Sequence, residues 1–480
     1  MTIDEQTQRD AIARAGDRVR ALSLSLGRKP TACVVTFGCQ MNARDSEKLA
    51  GILEESGFSI IDDEDADFLI YNTCTVRENA DKRLFGRLGA VGARKKEKPW
   101  SRLAVCGCMM QEELHVDRLK KSYPFVDLIF GTHNLFTFPS LLDAVLAPEN
   151  AGNMIVDVWD RTDRILEHLP SKRKYPFKSG VNIMFGCDNF CTYCIVPYVR
   201  GRERSRRSAD ILDEVRRLAD DGVREVMLLG QNVNSYGKNV PAGEEAAYGS
   251  FPELLAGVAE IPGIRRVRFM TSHPKDLSDE LVETIRSHDN IARHLHLPLQ
   301  SGSDRILKRM NRGYDSAGYL ALCERIKARV PDIALTTDII IGFPGETPED
   351  VDATIDVVRS VRFRNAFTFL YSRRSGTPAA GFADQVPKET AQEGFDRLLR
   401  TVQEIAAEET KKQEGSVGEV LVESVNENDA RLVTGRLSDN QLVHFPGDET
   451  LIGQFVRVKL CEAKGFYYIG QRVQGSDAVH

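Results

Sequence analysis

Short runs of β-branched and apolar residues alternate with helix-like segments over most of the chain, a pattern typical of parallel sheets covered by helices. Between Thr31 and Pro148 the strand-like runs are ACVVTF, DFLIYN, LAVCG and VDLIFG. A second series, between residues 179 and 409, reads VNIMF, EVMLL, RVRFM, HLHLP, ALTTDIIIGF and AFTFLY. These six right-handed βα units, with no room for eight, predict a partial barrel. The predicted fold class is therefore α/β, with a Rossmann- or flavodoxin-like N-terminal domain followed by a partial (β/α)6 TIM barrel.

The last part of the chain has a different pattern. Five closely spaced short strands, separated by Gly and Asn turns, begin after Thr410: EVLVE, RLVTG, QLVHF, QFVRVKL and FYYIG. This spacing predicts a small β-barrel of the OB-like kind. Because 480 residues exceed what one hydrophobic core usually holds, we expect several domains. The predicted segments are a helical or disordered arm (1–30), the first α/β domain (31–148), a polar linker (149–178), the partial barrel (179–409) and the OB-like barrel (410–476).

Composition excludes some classes of protein. Ten cysteines in a chain of this length are too sparse for a disulfide scaffold. No apolar signal-peptide core opens the sequence, and no apolar run has the length needed to cross a membrane. We therefore expect a cytoplasmic protein without a membrane partner. The net charge of −6 does not by itself favour a nucleic-acid partner, so any basic surface must be local.

The stretch GCDNFCTYC, directly after the first strand of the second series, carries Cys187, Cys191 and Cys194 in a C-x3-C-x2-C spacing. Structural zinc closes its tetrahedron with four protein ligands, whereas a cubane iron–sulfur cluster held by three cysteines leaves one iron open. The alternatives are a zinc knuckle or a set of buried thiols; a zinc site lacks a nearby fourth ligand, since the closest downstream histidine is His273. In a barrel of this kind chemistry gathers at the C-terminal ends of the strands, where this loop lies.

Three further cysteines share one position in the first series, because Cys39, Cys74 and Cys108 each follow a strand. In a parallel sheet they would project from the same edge, as the ligands of a second cluster with one open iron would. Without the other motif, three such cysteines would more often be core or redox residues. Cys106 still lies within its strand and is expected to be packed. Cys33, Cys323 and Cys461 are likewise interpreted as small buried apolar residues.

Seven motifs are distributed over nearly the whole chain: GCQMN from Gly38, NTCTVRENAD from Asn72, CGCMMQ from Cys106, GCDNFCTYCIVPYVRGRERSR from Gly186, LLGQNVNSYG from Leu228, HLPLQSGSDRIL from His296 and DIIIGFPGET from Asp338. Their order and spacing resemble those of the radical methylthiotransferases, a family of radical S-adenosylmethionine (SAM) enzymes. GCQMN and GQNVN resemble most the tRNA-modifying branch, called the MiaB type.

The resemblance implies a methylthiotransferase N-terminal domain, a radical SAM partial barrel and a C-terminal TRAM domain. The implied reaction adds a methylthio group to carbon 2 of N6-isopentenyladenosine beside the tRNA anticodon. One SAM would methylate a cluster-borne sulfur and a second would generate the radical that activates the C–H bond. A methylthiotransferase of a ribosomal protein is the alternative within this chemistry, and a zinc-containing RNA-binding module without catalysis is the alternative outside it.

Two 4Fe–4S clusters and SAM are the implied cofactors. By resemblance, Cys187, Cys191 and Cys194 hold the radical-generating cluster, and Cys39, Cys74 and Cys108 hold the auxiliary cluster. The acidic residue usual at the end of the second barrel strand is absent here, so backbone carbonyls or Gln231 would contact the SAM amine. The implied SAM contacts are Tyr193, Gly230, Gln231, Asn232, Ser272, Gln300, Ile340 and Gly342.

An RNA partner is implied by the same resemblance, namely a tRNA anticodon stem-loop. The run RGRERSRR carries five arginines after the cysteine loop, and we predict that Arg200 and Arg204 touch phosphates, although such runs are usually solvated faces. In the OB-like barrel, stacking platforms could come from aromatic residues, of which at least two are expected in the core: Phe445, Phe466, Tyr467 and Tyr468. Further implied partners are an electron donor such as flavodoxin or ferredoxin and proteins that deliver sulfur and clusters.

Overall fold

The computed structural model describes residues 3–75, 79–165 and 169–473. Residues 1–2 of the predicted arm, 166–168 of the predicted linker and 474–476 of the predicted OB-like domain lie outside the described residues, as do 76–78 of the NTCTVRENAD motif. The chain forms two compact units. The first runs through Lys174 and includes Phe185–Asp188 and Ile195–Arg204. The second comprises Tyr175–Met184, Asn189–Cys194 and the chain from Ser205 onward.

A six-stranded parallel sheet is the centre of the first unit. Its strands are β1 (Thr31–Thr36), β2 (Ser59–Ile60), β3 (Phe68–Thr73), β4 (Arg102–Gly107), β5 (Leu128–Phe130) and β6 (Ile155–Asp157). Its helices are α1 (Ile3–Leu26), α2 (Gln40–Glu55), α3 (Asn79–Glu97), α4 (Glu113–Ser122) and α5 (Phe138–Leu146). The strand order β2-β1-β3-β4-β5-β6 is flavodoxin-like at its first five positions, which confirms the predicted class.

The predicted helical or disordered arm is helical, and the predicted linker contains a strand. Residues of the arm form α1, whose Ala11, Ile12 and Ala15 are buried and which packs along α5. Part of the predicted linker forms β6, which pairs in parallel with β5. A three-residue edge strand within polar sequence carries too little periodicity to be recognised from the sequence.

In the second unit six parallel strands are followed by helices, as predicted. The strands are β7 (Lys178–Asn182), β10 (Glu225–Leu229), β11 (Arg266–Phe269), β12 (His294–His296), β13 (Ala334–Ile341) and β14 (Asn365–Leu370). The two-residue strands β8 (Met184–Phe185) and β9 (Arg204–Ser205) and the short helix α6 (Val196–Val199) flank the cysteine loop in sequence. The remaining helices are α7 (Ser208–Asp220), α8 (Phe251–Ala259), α9 (Asp279–Ser287), α10 (Asp304–Arg309), α11 (Ser316–Arg329), α12 (Pro348–Val361) and α13 (Lys388–Lys411).

The barrel of this unit is divided into two three-stranded sheets, ordered β11-β10-β7 and β12-β13-β14. Among the described residues, an isolated parallel bridge joins Val267 of β11 to Ile291, which lies in the segment before β12. Apolar residues of the strands and helices form one continuous core between the sheets and their helical layer. The arrangement confirms a partial barrel.

The five C-terminal strands close into a barrel in the order β15-β16-β17-β19-β18. They are β15 (Val417–Val425), β16 (Leu432–Arg436), β17 (Leu442–Pro446), β18 (Phe455–Ala463) and β19 (Tyr467–Arg472). Phe445 and Tyr468 are buried in its core, whereas Phe466 is half-exposed, so the expectation that at least two of these aromatics pack internally is confirmed. No helix among the described residues is both long and apolar enough to cross a membrane.

One cysteine departs from its predicted environment. Cys33, Cys106 and Cys323 are buried as expected, but Cys461 is exposed. On β18 the inward positions are occupied by valine and leucine, and Cys461 follows inward-facing Leu460, so the two-residue period of the strand turns it outward. The prediction that Cys461 is a buried apolar residue is therefore wrong.

Buried charges hold the small barrel against the amino ends of the parallel strands. Arg268 donates to Glu225 Oε2 at 3.0 Å and to the carbonyls of Leu437 and Ser438 at 2.7 and 3.0 Å. Arg266 donates to the carbonyl of Arg436 at 3.0 Å and approaches the same carboxylate at 3.4 Å. Burial of Glu225 would raise its pKa, but the charges of Arg268 and Arg266 outweigh that effect, and the pKa lies below its ordinary value.

We expect Glu225→Gln to lower the free energy of unfolding by about 3–5 kcal/mol at neutral pH, because it leaves two buried guanidinium groups without their carboxylate. Since the folded-state pKa is depressed, the carboxylate's stabilisation is complete above the ordinary glutamate pKa and is lost as the pH falls through the lower folded-state pKa. Urea titration measures both effects. The control is Glu419→Gln, because the Arg265–Glu419 pair is half-exposed and should contribute about 1 kcal/mol or less. Equal losses in the two variants would contradict the prediction.

Candidate metal centres and cofactor site

The three cysteines of the first unit lie at the carboxyl edge of its sheet. Cys39 directly precedes α2 in the loop after β1, Cys74 follows β3, and Cys108 follows β4. The strand order reverses between β1 and β3, and this switch point is where open parallel sheets bind ligands. The predicted convergence of these loops on one edge is therefore found in the backbone.

Asn42, on the first turn of α2, ties the cysteine loops together. Its Nδ2 donates to the carbonyls of Phe37 and Thr73, at 3.0 and 2.8 Å. These two bonds orient Oδ1 so that it lies 3.8 Å from the Sγ atoms of both Cys39 and Cys108. Sequence reasoning missed this residue, because one asparagine in GCQMN gives no sign of which loops it joins.

Cys74 lies directly against the loop of Cys39. Gly38 has φ +126°, and a Cβ at this position would lie 2.8 Å from Cys74 Sγ. Only glycine combines this backbone conformation with so close an approach. The glycine of GCQMN thus allows the first and second cysteine loops to meet.

The surroundings of these thiols fit an iron–sulfur cluster. Cys74 and Cys108 are buried and Cys39 is exposed. Burial raises the pKa of Cys108 to about 12, although Arg200 lowers it, so metal binding there must displace a proton. No three His, Cys, Asp or Glu side chains in the described ranges converge on a position for one metal ion, but a cubane distributes three ligands over three irons.

Asn72 Oδ1 and Thr75 Oγ1, beside Cys74 in sequence, are buried and have no hydrogen-bond partner among the described residues.

Arg200 is enclosed within the first unit. Its Nε donates to Cys108 Sγ at 3.2 Å, and its Nη2 donates to Asn42 Oδ1 and Asp45 Oδ2, both at 2.8 Å. Only 6% of the residue is exposed. This environment does not support the prediction that Arg200 contacts RNA phosphates.

Arg204 is partly buried in the same unit. It donates to the carbonyls of Thr162 and Arg200. Burial and the neighbouring charge of Arg200 lower its pKa. Contact of Arg204 with RNA stays a prediction.

The cysteine loop is anchored within each unit by its backbone. In the first unit the N–H of Cys187 donates to the carbonyl of Gly201 at 3.1 Å. In the second unit Thr192 donates through its N–H to Met310 and through its hydroxyl to Arg309, and its carbonyl accepts from Ala379. These bonds fix the turn between Cys191 and Cys194, whose backbone groups are joined by a 2.9 Å hydrogen bond.

Arg312 is buried beside this turn in the second unit and was missed by sequence reasoning. Its Nη1 donates to Cys191 Sγ at 3.3 Å and to the Tyr193 hydroxyl at 3.4 Å. Its Nε donates to the Tyr314 hydroxyl at 2.9 Å and its Nη2 to the Pro298 carbonyl at 3.0 Å. A single arginine in the segment MNRGYD carries no signal that it faces a cysteine more than a hundred residues earlier.

Buried polar side chains with unmatched atoms follow the carboxyl ends of the barrel strands. Within the described residues these atoms have no hydrogen-bond partner, although buried polar groups are nearly always paired. Such a set fits a polar ligand that supplies the missing partners, as SAM would. The side chains are Asn182, Asn234, Ser272, His273, Glu346 and Tyr371.

The residues predicted to contact SAM fall into two groups. Ser272 belongs to the unmatched set, and Tyr193 and Ile340 pack on one apolar cluster around Phe343. Asn232 is engaged within the protein, since its Nδ2 donates to Asp276 at 2.8 Å and its Oδ1 accepts from the N–H of His273 at 3.2 Å. A direct contact between the Asn232 side chain and SAM is thus less supported.

The other residues predicted to contact SAM are described by their backbone conformation, packing or burial. Gln300 has φ +70°, a strained conformation for this residue type, held by bonds to Asp338 and Ile340. Gly230 packs against Met184, and Gln231 is partly buried. Gly342 has φ +80°, and a Cβ there would lie 2.7 Å from the Cβ of Ala391, so packing against α13 explains this glycine without a ligand.

Glu346 is a further candidate that sequence reasoning missed. It accepts from the N–H of Gly342 at 2.5 Å through Oε2, and its other oxygen is one of the unmatched atoms. Burial raises its pKa to about 7. A carboxyl group that can be neutral or charged near physiological pH is a frequent feature of functional sites.

Three family models match consecutive parts of the chain. The radical SAM superfamily matches residues 181–358, an uncharacterized family called UPF0004 matches residues 31–131, and the TRAM domain matches residues 411–473. A tRNA-2-methylthio-N(6)-dimethylallyladenosine synthase of Lachnoclostridium phytofermentans is 56% identical over 456 residues, covering 95% of this chain and 98% of that protein. The chain belongs to this synthase family.

Another member of the synthase family, from Acetivibrio thermocellus, is 52% identical and covers 93% of this chain and 92% of its own length. Among solved structures, the cobalamin-dependent SAM radical enzyme OxsB, with aqua-cobalamin and SAM bound, is similar in fold with a TM-score of 0.50 at 14% identity. That comparison covers 78% of this chain and 56% of OxsB. The cofactors of the synthase family are SAM and two 4Fe–4S clusters. The two predicted cysteine triads have the soft sulfur donors that such clusters require.

Replacing Cys39, Cys74 and Cys108 together by alanine should reduce the iron content of the anaerobically reconstituted protein from roughly eight to roughly four atoms per chain, since each triad would hold one cubane. The same loss is expected when Cys187, Cys191 and Cys194 are replaced. Iron analysis and the visible absorption band of the clusters measure the change.

The control is Cys461→Ala, which removes an exposed thiol and should leave the iron content unchanged. Full iron content after loss of either triad would contradict the assignment of the ligands. Colourless protein with stoichiometric zinc would favour the zinc-binding alternative.

Proposed function

We propose that the chain adds a methylthio group to carbon 2 of N6-isopentenyladenosine in tRNA. The observation that carries the proposal is the presence, in one chain, of one cysteine triad at the carboxyl edge of a parallel sheet and a second triad in the loop that follows β8. The family models and the relatives that match over nine-tenths of the chain support it. A TRAM domain and relatives that act on tRNA favour an RNA substrate over a ribosomal protein.

The chemistry requires cofactors, because an aromatic C–H bond is too unreactive for acid–base or nucleophilic catalysis by side chains. When bound, the clusters and SAM supply the sulfur, the methyl group and the radical that removes the hydrogen. We propose that Cys39, Cys74 and Cys108 hold one cluster and that Cys187, Cys191 and Cys194 hold the other. Tyr193 and Ile340, which share an apolar cluster, would flank the adenine of SAM. The polar end of SAM would pair with the unmatched side chains at the strand ends, Ser272 among them.

An aromatic strip on the second sheet of the barrel is the proposed contact for the modified base. Alternate residues of β13, such as Ile339 and Ile341, and Ala366 of β14 belong to the core under the helices. The intervening residues face the other way, and strand register places Asp338 beside Phe367 and Ile340 beside Phe369. Phe367 and Phe369 are 47% and 50% exposed.

The position and chemistry of this strip suit the substrate. Ile340, its neighbour, is a predicted SAM contact, so a base lying against Phe369 would be next to the proposed cofactor site. Two exposed phenyl rings offer apolar area to a branched five-carbon prenyl chain and a face on which adenine can stack. His296, whose ring centroid lies 5.9 Å from that of Phe367, closes the strip on the side of β12. Aromatic side chains with this exposure on a strand are typical of binding surfaces.

We expect Phe369→Ala to weaken binding of a prenylated anticodon stem-loop about tenfold, or about 1.4 kcal/mol. This lies within the range of about 1–3 kcal/mol that an aromatic contact to a base contributes. Binding of the same RNA without the prenyl group should change less. Titration of the two labelled RNAs with the reconstituted protein measures the difference.

The matched control is Phe466→Ala, because Phe466 is also 50% exposed but lies in the C-terminal barrel. Its loss should affect both RNAs equally, if it affects either. An equal loss of affinity for both RNAs in Phe369→Ala would show that the ring does not distinguish the prenyl group.

The activity itself is tested on isolated tRNA that carries N6-isopentenyladenosine. Incubation with the reconstituted protein, SAM and a low-potential reductant should convert that nucleoside to its 2-methylthio form, as measured by mass spectrometry of the digested tRNA. The protein in which all six proposed cluster ligands are replaced by alanine is the inactive control. Unchanged tRNA, together with a mass increase in a ribosomal protein treated in the same way, would favour the ribosomal alternative.

The proposal also includes specific binding partners. The anticodon stem-loop would be the recognised portion of the tRNA. Flavodoxin or ferredoxin would supply electrons, and separate proteins would deliver sulfur and clusters. Contacts of Arg204 with phosphates would make RNA binding weaker as salt rises.

A further inference from the structure

Each unit contains one deeply buried arginine that donates a hydrogen bond to the sulfur of a proposed cluster ligand. In the first unit Arg200 Nε lies 3.2 Å from Cys108 Sγ. In the second unit Arg312 Nη1 lies 3.3 Å from Cys191 Sγ. The two residues are 6% and 5% exposed. The same contact thus occurs twice, on unrelated elements of the chain.

The partners of Arg312 leave its charge without a carboxylate. Its hydrogen bonds among the described residues go to Cys191, to the hydroxyls of Tyr193 and Tyr314, and to the carbonyl of Pro298. A buried cation is stabilised by negative charge beside it. A cluster held through Cys191 would place such charge at this hydrogen bond.

Arg200 has one carboxylate, that of buried Asp45, and in addition the amide oxygen of Asn42. Asn42 Oδ1 is also close to the sulfurs of Cys39 and Cys108. The guanidinium therefore belongs to the environment of two proposed ligands at once. Charge-assisted hydrogen bonds of this kind are shorter and stronger than neutral ones and fix geometry.

We propose that Arg200 and Arg312 are positioning residues that tune the auxiliary cluster and the radical-generating cluster, respectively. A hydrogen bond from a cation to a ligand sulfur stabilises the more negative, reduced form of a cluster and so raises its reduction potential. This inference rests on the ligand assignment made under the proposed function. It also gives Arg200 a role different from RNA binding.

Each arginine should affect only the cluster whose ligand it contacts. The test therefore measures the two clusters in separate parent proteins. One parent protein retains only Cys39, Cys74 and Cys108 as proposed ligands, and the other retains only Cys187, Cys191 and Cys194. Each parent is reconstituted anaerobically, its iron content is measured, and its midpoint potential is determined by redox titration followed by electron paramagnetic resonance. Arg200→Gln and Arg312→Gln are then introduced into both parents.

We expect Arg200→Gln to shift the midpoint of the auxiliary cluster to a more negative potential and to leave the other cluster unchanged. Arg312→Gln should have the converse effect. The lysine variants keep the charge without the planar fork and should give smaller shifts. Arg202→Gln is the matched control, because Arg202 lies in the same arginine run but is 71% exposed and paired with Asp188.

Loss of Arg200 also leaves Asp45 buried without its cation, which can prevent folding. The double variant Arg200→Gln with Asp45→Asn removes that unpaired charge and should shift the midpoint in the same direction but by less, because loss of the carboxylate charge partly offsets loss of the cation. A parent protein without iron would refute the ligand assignment, and the inference with it. Full iron content with unchanged midpoints in the folded glutamine variants would overturn the inference while leaving the proposed function intact.

Discussion

Strand direction is the constraint on which the proposed auxiliary-cluster site and the proposed SAM site both depend. Because all strands of the first sheet run parallel, the loops after β1, β3 and β4 leave the sheet at one edge, and each carries a cysteine. The barrel obeys the same rule, since its unmatched polar side chains follow the carboxyl ends of its strands. Parallel pairing therefore brings together residues that are far apart in sequence, and no side-chain contact is needed to gather them.

The opposite end of the barrel has the opposite character. There the amino ends of β10 and β11 carry Glu225, Arg266 and Arg268, whose hydrogen bonds are satisfied by one another and by carbonyls of the C-terminal barrel. The amino end of the barrel thus carries buried ion pairs with satisfied hydrogen bonds. The carboxyl end carries buried polar atoms without a hydrogen-bond partner among the described residues. Such a separation lets one end fix the fold while the other remains available to ligands.

Sequence patterns predicted features that depend on local periodicity or on position relative to a strand. The six barrel strands, the five strands of the small barrel and the placement of Cys39, Cys74 and Cys108 were of this kind. Features that depend on long-range partners could not be predicted. Arg200 was interpreted as RNA-binding because its run is basic, yet its nearest partners are on α2 and after β4. Nothing in the sequence indicated the long-range hydrogen bonds of Arg312 and Asn42. The burial of Cys461 was predicted wrongly because its place in the inward–outward alternation of β18 was not considered.

The unmatched groups at the carboxyl end have an energetic meaning. A buried polar atom left without any partner, ordered water included, costs about 1–3 kcal/mol, so the side chains at this end favour a polar occupant that forms hydrogen bonds with them. SAM bound there would supply such partners. Buried Arg312 adds an argument about charge, because its hydrogen-bond partners among the described residues include no carboxylate. Under the proposed function, cofactor binding would complete hydrogen bonds and charge pairs of these side chains, and folding and cofactor binding would therefore be thermodynamically linked.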